Sequence, residues 1–459
     1  MLLYNLSVLQ LSELMEKKEI SSAEVTSACL DRISQLESGL QALITISRET
    51  ALAQAGDVDQ KRARGEKLAP LAGIPMVVDD NICTEGIKTT CASKMLDNFI
   101  PPYDATVAER LKDAGAILMG KANLGEFGMG LAPDAGGNGS AAAVAAGEAA
   151  FALGSDIGGF VRQSAAACGV VGLKPTYGRV SRFGLISFAS SLDQIGPLTR
   201  DMTDLALVLN TICGHDVKDA TSASADVPDF TGSLVHDVQG LKIGLPKEYF
   251  GPGLEPRVAA MLQEAVSKLE ESGAVCKEVT LPHTEYAGLA HYIIVAAEAC
   301  SNLARLDGVR YGLRVEAEDV LNMFNKTRSQ GFGSEVKKII LLGTHVLSAA
   351  NYDKYYMKAL KVRRLVQQDF DRAFEQFDCL LTPVGLTATS SAGKDANAEV
   401  CTLPANLAGL PALSLPFGVV DGMPAGLQLI AGHFGEGTLL RVGYTLEQST
   451  KTRQGQNPV

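Results

Sequence analysis

The stretch Leu153–Gly184 reads LGSDIGGFVRQSAAACGVVGLKPTYGRVSRFG, and its reading decides the fold. A short apolar run ends in Asp-x-Gly-Gly, and a segment of small residues with helical character follows. Glycines at such a strand-to-helix turn remove side-chain clashes, so successive backbone N–H groups can converge on one oxygen. A turn of this kind seats a catalytic nucleophile, yet the seat holds Phe160. Just upstream, SAAAVAAGEAAFALGSDIGG, from Ser140, reads as an alanine helix, a buried strand and the turn. Helices of Ala and Gly let backbones approach closely, which suits a segment at the centre of the molecule.

Working outward, GIPMVVDDN (73–81) is a β-branched run that ends in charge. ATVAERLKDAGAILMGKAN (105–123) predicts a helix of period 3.6 closed by Gly115, then the strand AILMG. Strand, helix and strand in this order point to α/β layering. Nearer the start, two helices are expected, the second opened by an S-x-x-E capping box at Ser21 and Glu24, and they lead to the strand ALITI. Residues 214–240, rich in Asp, Ser and Thr, predict a surface excursion. From 255 to 375 the pattern is mainly helical, clearest in EPRVAAMLQEAVSKLEESG, and the end returns to the strands ALSLPFGVV and AGLQLIAG. No repeat or linker divides the chain, so residues 1–459 are expected to form one domain with a helical excursion at about 255–375. GHFGEG (432–437) lacks the strand-to-helix context of a dinucleotide loop.

Composition excludes several classes. A net charge of −11 argues against general attraction to nucleic acid or anionic membranes. No run approaches the roughly 18 apolar residues of a transmembrane helix. The start MLLYNLSVLQLSELMEKK has no leader-like n-region or cleavage site. A soluble cytoplasmic protein is expected. The nine cysteines never fall in C-x-x-C and the six histidines never lie four apart, so neither a disulfide framework nor a zinc site is readable. No cofactor is expected. Cys168, nearest the turn, reads as a small buried hydrophobe rather than a nucleophile.

GIPMVVDDNICTEGIKTTCASKMLDNF, GSAAAVAAGEAAFALGSDIGG, CGVVGLKPTYGRVSRFGLISFASSLDQIGPLTRD and LPANLAGLPALSLPFG together resemble the amidase signature family. The resemblance runs over nearly the whole chain. It implies one α/β domain with a central mixed sheet between helical layers. It also implies a serine nucleophile after the Gly-Gly turn, a bridging serine in a cis peptide and a lysine base at the end of the GIP strand. Carried over, these fall on Phe160, Gly136 and Asp79. The sequence also lacks a long loop of the family between Gly130 and Gly136, and a stretch before EVCTLPANLAG.

Neither phenyl nor glycine offers an oxygen for attack. In a triad hydrolase such as subtilisin, loss of the whole set costs about 10⁶-fold in kcat. What remains under this reading is a nest of backbone amides at Ile157, Gly158 and Gly159, walled by Phe160. Asp79 becomes the candidate catalytic residue: desolvated beside Phe160 it would shuttle a proton near neutrality, whereas a drifted, solvated Asp79 would do nothing. Asp79 and Asp80 should point to opposite faces of their strand. The candidate ligand-binding residues are Gly136, Asn138, Ser140, Ile157, Gly158, Gly159, Phe160 and Glu399. Glu399 falls where glutamine-using members hold the substrate's α-amino group. Its counterpart for the α-carboxylate would lie at Lys338 and Ile339, where the family pattern has arginines. Asp156 and Arg162 read as scaffold.

Four functions compete on these grounds. One is a repurposed enzyme performing non-hydrolytic acid/base chemistry, such as cyclisation, elimination or isomerisation, on a small carbonyl compound. Another is a non-catalytic paralogue acting through a protein partner or as a homo-oligomer. The others are a ligand binder without chemistry and an amide hydrolase that uses other residues.

Overall fold

The computed structural model describes residues 2–129, 139–251, 253–387 and 400–451. Its strands are β1 (Leu43–Ile46), β2 (Pro75–Asp79), β3 (Ile117–Ala122), β4 (Phe151–Asp156), β5 (Val171–Lys174) and β6 (Gln194–Thr199), followed by β7 (Lys242–Pro246), β8 (Val275–Val279), β9 (Cys379–Pro383), β10 (Ala412–Val420) and β11 (Met423–Ala431). They form one mixed sheet in the order β1-β3-β2-β4-β6-β5-β10-β11-β9-β7-β8. Helices surround it, and the expected α/β class with a central mixed sheet holds.

The site is positioned by the left half of this sheet. β2 pairs parallel with both β3 and β4, with Met76 opposite Leu118 on one side and Phe151 on the other. The helix Thr106–Asp113 carries the chain from β2 to β3, and Gly139–Ala146 precedes β4. All residues of β2, β3 and β4 are buried, which is why these strands read as continuous apolar runs rather than alternating ones. Being parallel, the three strands end at the same edge of the sheet, where open α/β sheets hold their ligands. Asp79 and Asp156 are the last residues of β2 and β4.

At the start, Ser21 accepts from the Glu24 amide at 3.1 Å while Glu24 accepts from the Ser21 amide at 2.7 Å, completing the expected capping box. Gly115 takes φ +81° just past its helix, as expected. Residues 214–240 hold only the short turn of helix Phe230–Ser233. The segment 255–375 is mainly helical, with an irregular stretch at 306–319 and one strand, β8, which the sequence reading passes over. β8 is an edge strand with mostly exposed side chains, so it lacks a hydrophobic signature.

Candidate active site

Asp79 is only 1% exposed, so the solvated reading of this residue fails. Its surroundings are not the apolar pocket the alternative reading required. One carboxyl oxygen accepts from Ser140 Oγ at 2.5 Å, and the other accepts from the Ser155 amide at 2.8 Å and lies 3.3 Å from Ser155 Oγ. The donors come from the helix Gly139–Ala146 and from β4, so neighbouring elements of the sheet's edge assemble them. Ser155 Oγ also accepts from Asn81 Nδ2 at 2.8 Å. Asp80 has its carboxylate on Thr90 instead, at 2.9 Å from the amide and 2.5 Å from Oγ1. Asp80 is the first residue past β2, and the strand's alternation carries through to it.

The turn after β4 is fixed group by group. Asp156 Oδ1 accepts the Gly159 amide at 2.7 Å, made possible by a φ of +124° that glycine alone adopts readily. A nest of three amides was expected, and this bond withdraws Gly159 from it. The Ile157 and Gly158 amides donate to no group among the described residues, and both residues are buried. The Ile157 carbonyl lies 2.8 Å from His291 Nε2, and the Gly158 carbonyl accepts from Thr402 Oγ1 at 2.7 Å. Phe160 heads the helix Phe160–Cys168, and its half-buried ring joins a cluster that includes Ile157, Ala290 and Ile294. The helix N-terminus adds its positive end to the two free amides, so the turn favours an oxygen bearing negative charge.

Behind the turn, Arg162 is fully buried and donates to both oxygens of Asp156 at 3.2 Å, to the Thr402 carbonyl at 3.2 Å and to Gln428 at 2.6 Å. Burial pushes Asp156 up, but the Arg162 guanidinium and the Asn406 amide outweigh it and hold the carboxyl below its ordinary range. Asp156 and Arg162 thus form scaffold, as their sequence positions suggested.

Three residues of the site were not legible as such. Lys121, fully buried on β3, donates to the Ile82 carbonyl and lies 3.2 Å from the hydroxyls of Thr84 and Thr89. Burial holds its ammonium below the ordinary lysine range, and the charge of Asp80 offsets this only in part. A lysine ending an apolar strand, as in AILMGK, was the available signal. His291 and Thr402 lie 134 and 244 residues from their partners in the turn, and nothing local marks them.

Gly136, Asn138 and Glu399 lie outside the described residues. Lys338, the suggested counterpart of Glu399, is paired on the surface with Glu335 at 2.6 Å, and Ile339 is buried. Among the described residues no cluster of His, Cys, Asp and Glu fits a metal ion, and no helix is long and apolar enough to cross a membrane.

With this geometry in view, the chain's similarities are specific. The amidase family model matches residues 24–440. The A subunit of the glutamyl-tRNA(Gln) amidotransferase from Moorella thermoacetica is 55% identical over 98% of this chain and 97% of its own length. The crystal structure of the corresponding A subunit from Thermotoga maritima is 36% identical, with a TM-score of 0.78 over 97% of this chain and 95% of that one. Native peptide amidase from Stenotrophomonas maltophilia is 31% identical, with a TM-score of 0.83 over 97% of each chain. Identity of 55% spread over almost the full length overturns two expectations at once: the repurposed non-hydrolytic enzyme and the non-catalytic paralogue. It points to amidotransferase or amidase chemistry.

Proposed function

The chain belongs to the amidase family, and from that membership we propose that it works as the A-type subunit of an amidotransferase, cleaving an amide to free its nitrogen within a complex of several proteins. The observation that carries this reading is the 55% identity to the A subunit of a glutamyl-tRNA(Gln) amidotransferase across 98% of the chain. Each such relative is a subunit by name, which supports companion proteins as the partners. The single continuous sheet supports reading the chain as one domain.

The chemistry must come from groups other than Phe160. An attacking hydroxyl needs a base within hydrogen-bond reach, and apo sites often hold that contact long. Ser155 Oγ, at 3.3 Å from Asp79 Oδ2, satisfies this, whereas Ser140 Oγ is committed to the other oxygen and fully buried. In the proposed step Ser155 Oγ bonds to the amide carbon as its proton passes to Asp79. The carbonyl oxygen gains charge before the Ile157 and Gly158 amides. The C–N bond then breaks, the nitrogen leaves as ammonia with the proton from Asp79, and water releases the acyl group.

The test is ammonia release from glutamine and from a panel of primary amides, with the chain reconstituted with the companion subunits of the Moorella thermoacetica enzyme. Release above that of the companions alone is expected, and Asp79→Asn and Ser155→Ala should each lower kcat by about 10³-fold or more. No release from any amide overturns the function. Release that survives Ser155→Ala overturns the assignment of the nucleophile.

A further inference from the structure

We infer that His291 is a positioning residue that holds the Ile157–Gly158 peptide so that the Gly158 N–H faces the developing oxyanion. The inference rests on the amide-cleavage reading of the turn and adds a residue to it. A trans peptide is planar, with its C=O and N–H pointing in opposite directions. Whatever anchors the carbonyl therefore aims the amide. The two peptides of the turn are anchored on their carbonyl sides, Ile157 by His291 Nε2 at 2.8 Å and Gly158 by Thr402 Oγ1 at 2.7 Å.

The two anchors have different consequences. In the Gly158–Gly159 peptide the amide is already taken by Asp156 at 2.7 Å, so Thr402 completes a closed frame. In the Ile157–Gly158 peptide the amide remains available, so the His291 contact sets the direction of a group that substrate would use. The imidazole is also packed against this peptide: a Cβ placed on Gly158 would lie 3.2 Å from His291 Cε1 and 3.3 Å from Nε2. Glycine at 158 is what lets the ring come this close.

His291 is 8% exposed, on the helix Ala287–Asn302, which otherwise packs apolar side chains into the core. Burial pulls its pKa down to about 4, so at neutral pH it carries one ring proton. Facing a carbonyl oxygen, that proton sits on Nε2, and the bond holds without a buried charge.

His291→Phe removes the donor and keeps a ring, while His291→Gln keeps an N–H that can reach the carbonyl. A donor that is misaimed rather than removed should cost less than the roughly 10²–10³-fold in kcat that follows deletion of an oxyanion donor. The expected loss for H291F is therefore about 10-fold or more in kcat with KM little changed, and H291Q should recover most of it. A second readout does not depend on turnover. Labelling isoleucine carbonyls with 13C and glycine amides with 15N selects the only Ile–Gly peptides in the sequence, at Gly158, Gly196 and Gly244. In H291F the Gly158 signal should shift and exchange faster while the other two stay in place; if H291F does not fold, H291L is read in the same way.

Wild-type kcat in the variant, or an unchanged Gly158 signal, overturns the inference. If the parent complex releases no ammonia, the amide-cleavage reading has failed, and the Gly158 signal alone decides whether His291 sets the peptide.

Discussion

A backbone angle of +124° at Gly159 turns its amide onto Asp156, while the Ile157 and Gly158 amides donate to no group among the described residues. A Cβ at this position would lie 2.2 Å from Thr402 Oγ1. Gly159→Ala thus combines an unfavourable φ with a clash against the hydroxyl that anchors the neighbouring carbonyl. It should destabilise the fold by at least about 2 kcal/mol in urea titrations, and what folds should lose amide turnover. A wild-type urea midpoint would show that the turn relaxes at little cost. The need for glycine here was legible, because the motif repeats Gly next to an Asp. Which amide Asp156 would claim was not, since that depends on a rotation no residue type specifies. Asp79 teaches the same lesson: its divergence from Asp80 follows from strand geometry, but the Ser140 and Ser155 donors around it come from other elements.

Between elements, the contact of the helices Ser22–Leu40 and Gly139–Ala146 contains an acidic pair. Glu148, just past the second helix, is 0% exposed, and the side chain its carboxyl meets is another carboxyl, that of Glu37. Glu37 lies opposite on the first helix, and Arg32 is the nearby cation. Burial, then the charge of Glu37, pushes Glu148 from its ordinary 4.5 up to about 8. The folded state thus holds this proton more tightly than the unfolded chain does. The stability it contributes is full below pH 4.5 and is lost as the pH rises through about 8. Glu148→Gln should flatten that loss, so its urea midpoint should fall less than the parent's between about pH 5 and about pH 8.5. Equal falls in both proteins would mean that Glu148 does not titrate in this window. The helices themselves were legible from capping and periodicity. The edge strand β8 was not, because its exposed side chains leave no apolar pattern.

Across the molecule, Arg162 joins parts of the chain far apart in sequence: Asp156 on β4, the Thr402 carbonyl, Asn406, and Gln428 on β11. Removing it would leave Asp156 charged, buried and without its cation. Arg162→Met should therefore cost about 3–5 kcal/mol, and the double variant Arg162→Met with Asp156→Asn should recover part of it. Denaturant titration of the parent, of each single variant and of the double variant measures both values, and additive losses would mean that the pair is not coupled.

The sequence by itself determined the α/β class, the family, the central strands and the glycine turn. These follow from local patterns, namely apolar runs, capping residues and glycines whose backbone freedom is needed where they stand. Only the tertiary structure decided that Asp79 is buried among hydroxyls rather than solvated, that Gly159 is withdrawn from the turn's free amides, and that His291 and Thr402 anchor the two peptides. For Gly159 the physical reason is a local backbone rotation that residue types do not specify; for Asp79, His291 and Thr402 it is distance along the chain. A hydrogen bond depends on distance and direction in space, and partners separated by 61 to 244 residues meet only after the strands and helices between them have packed.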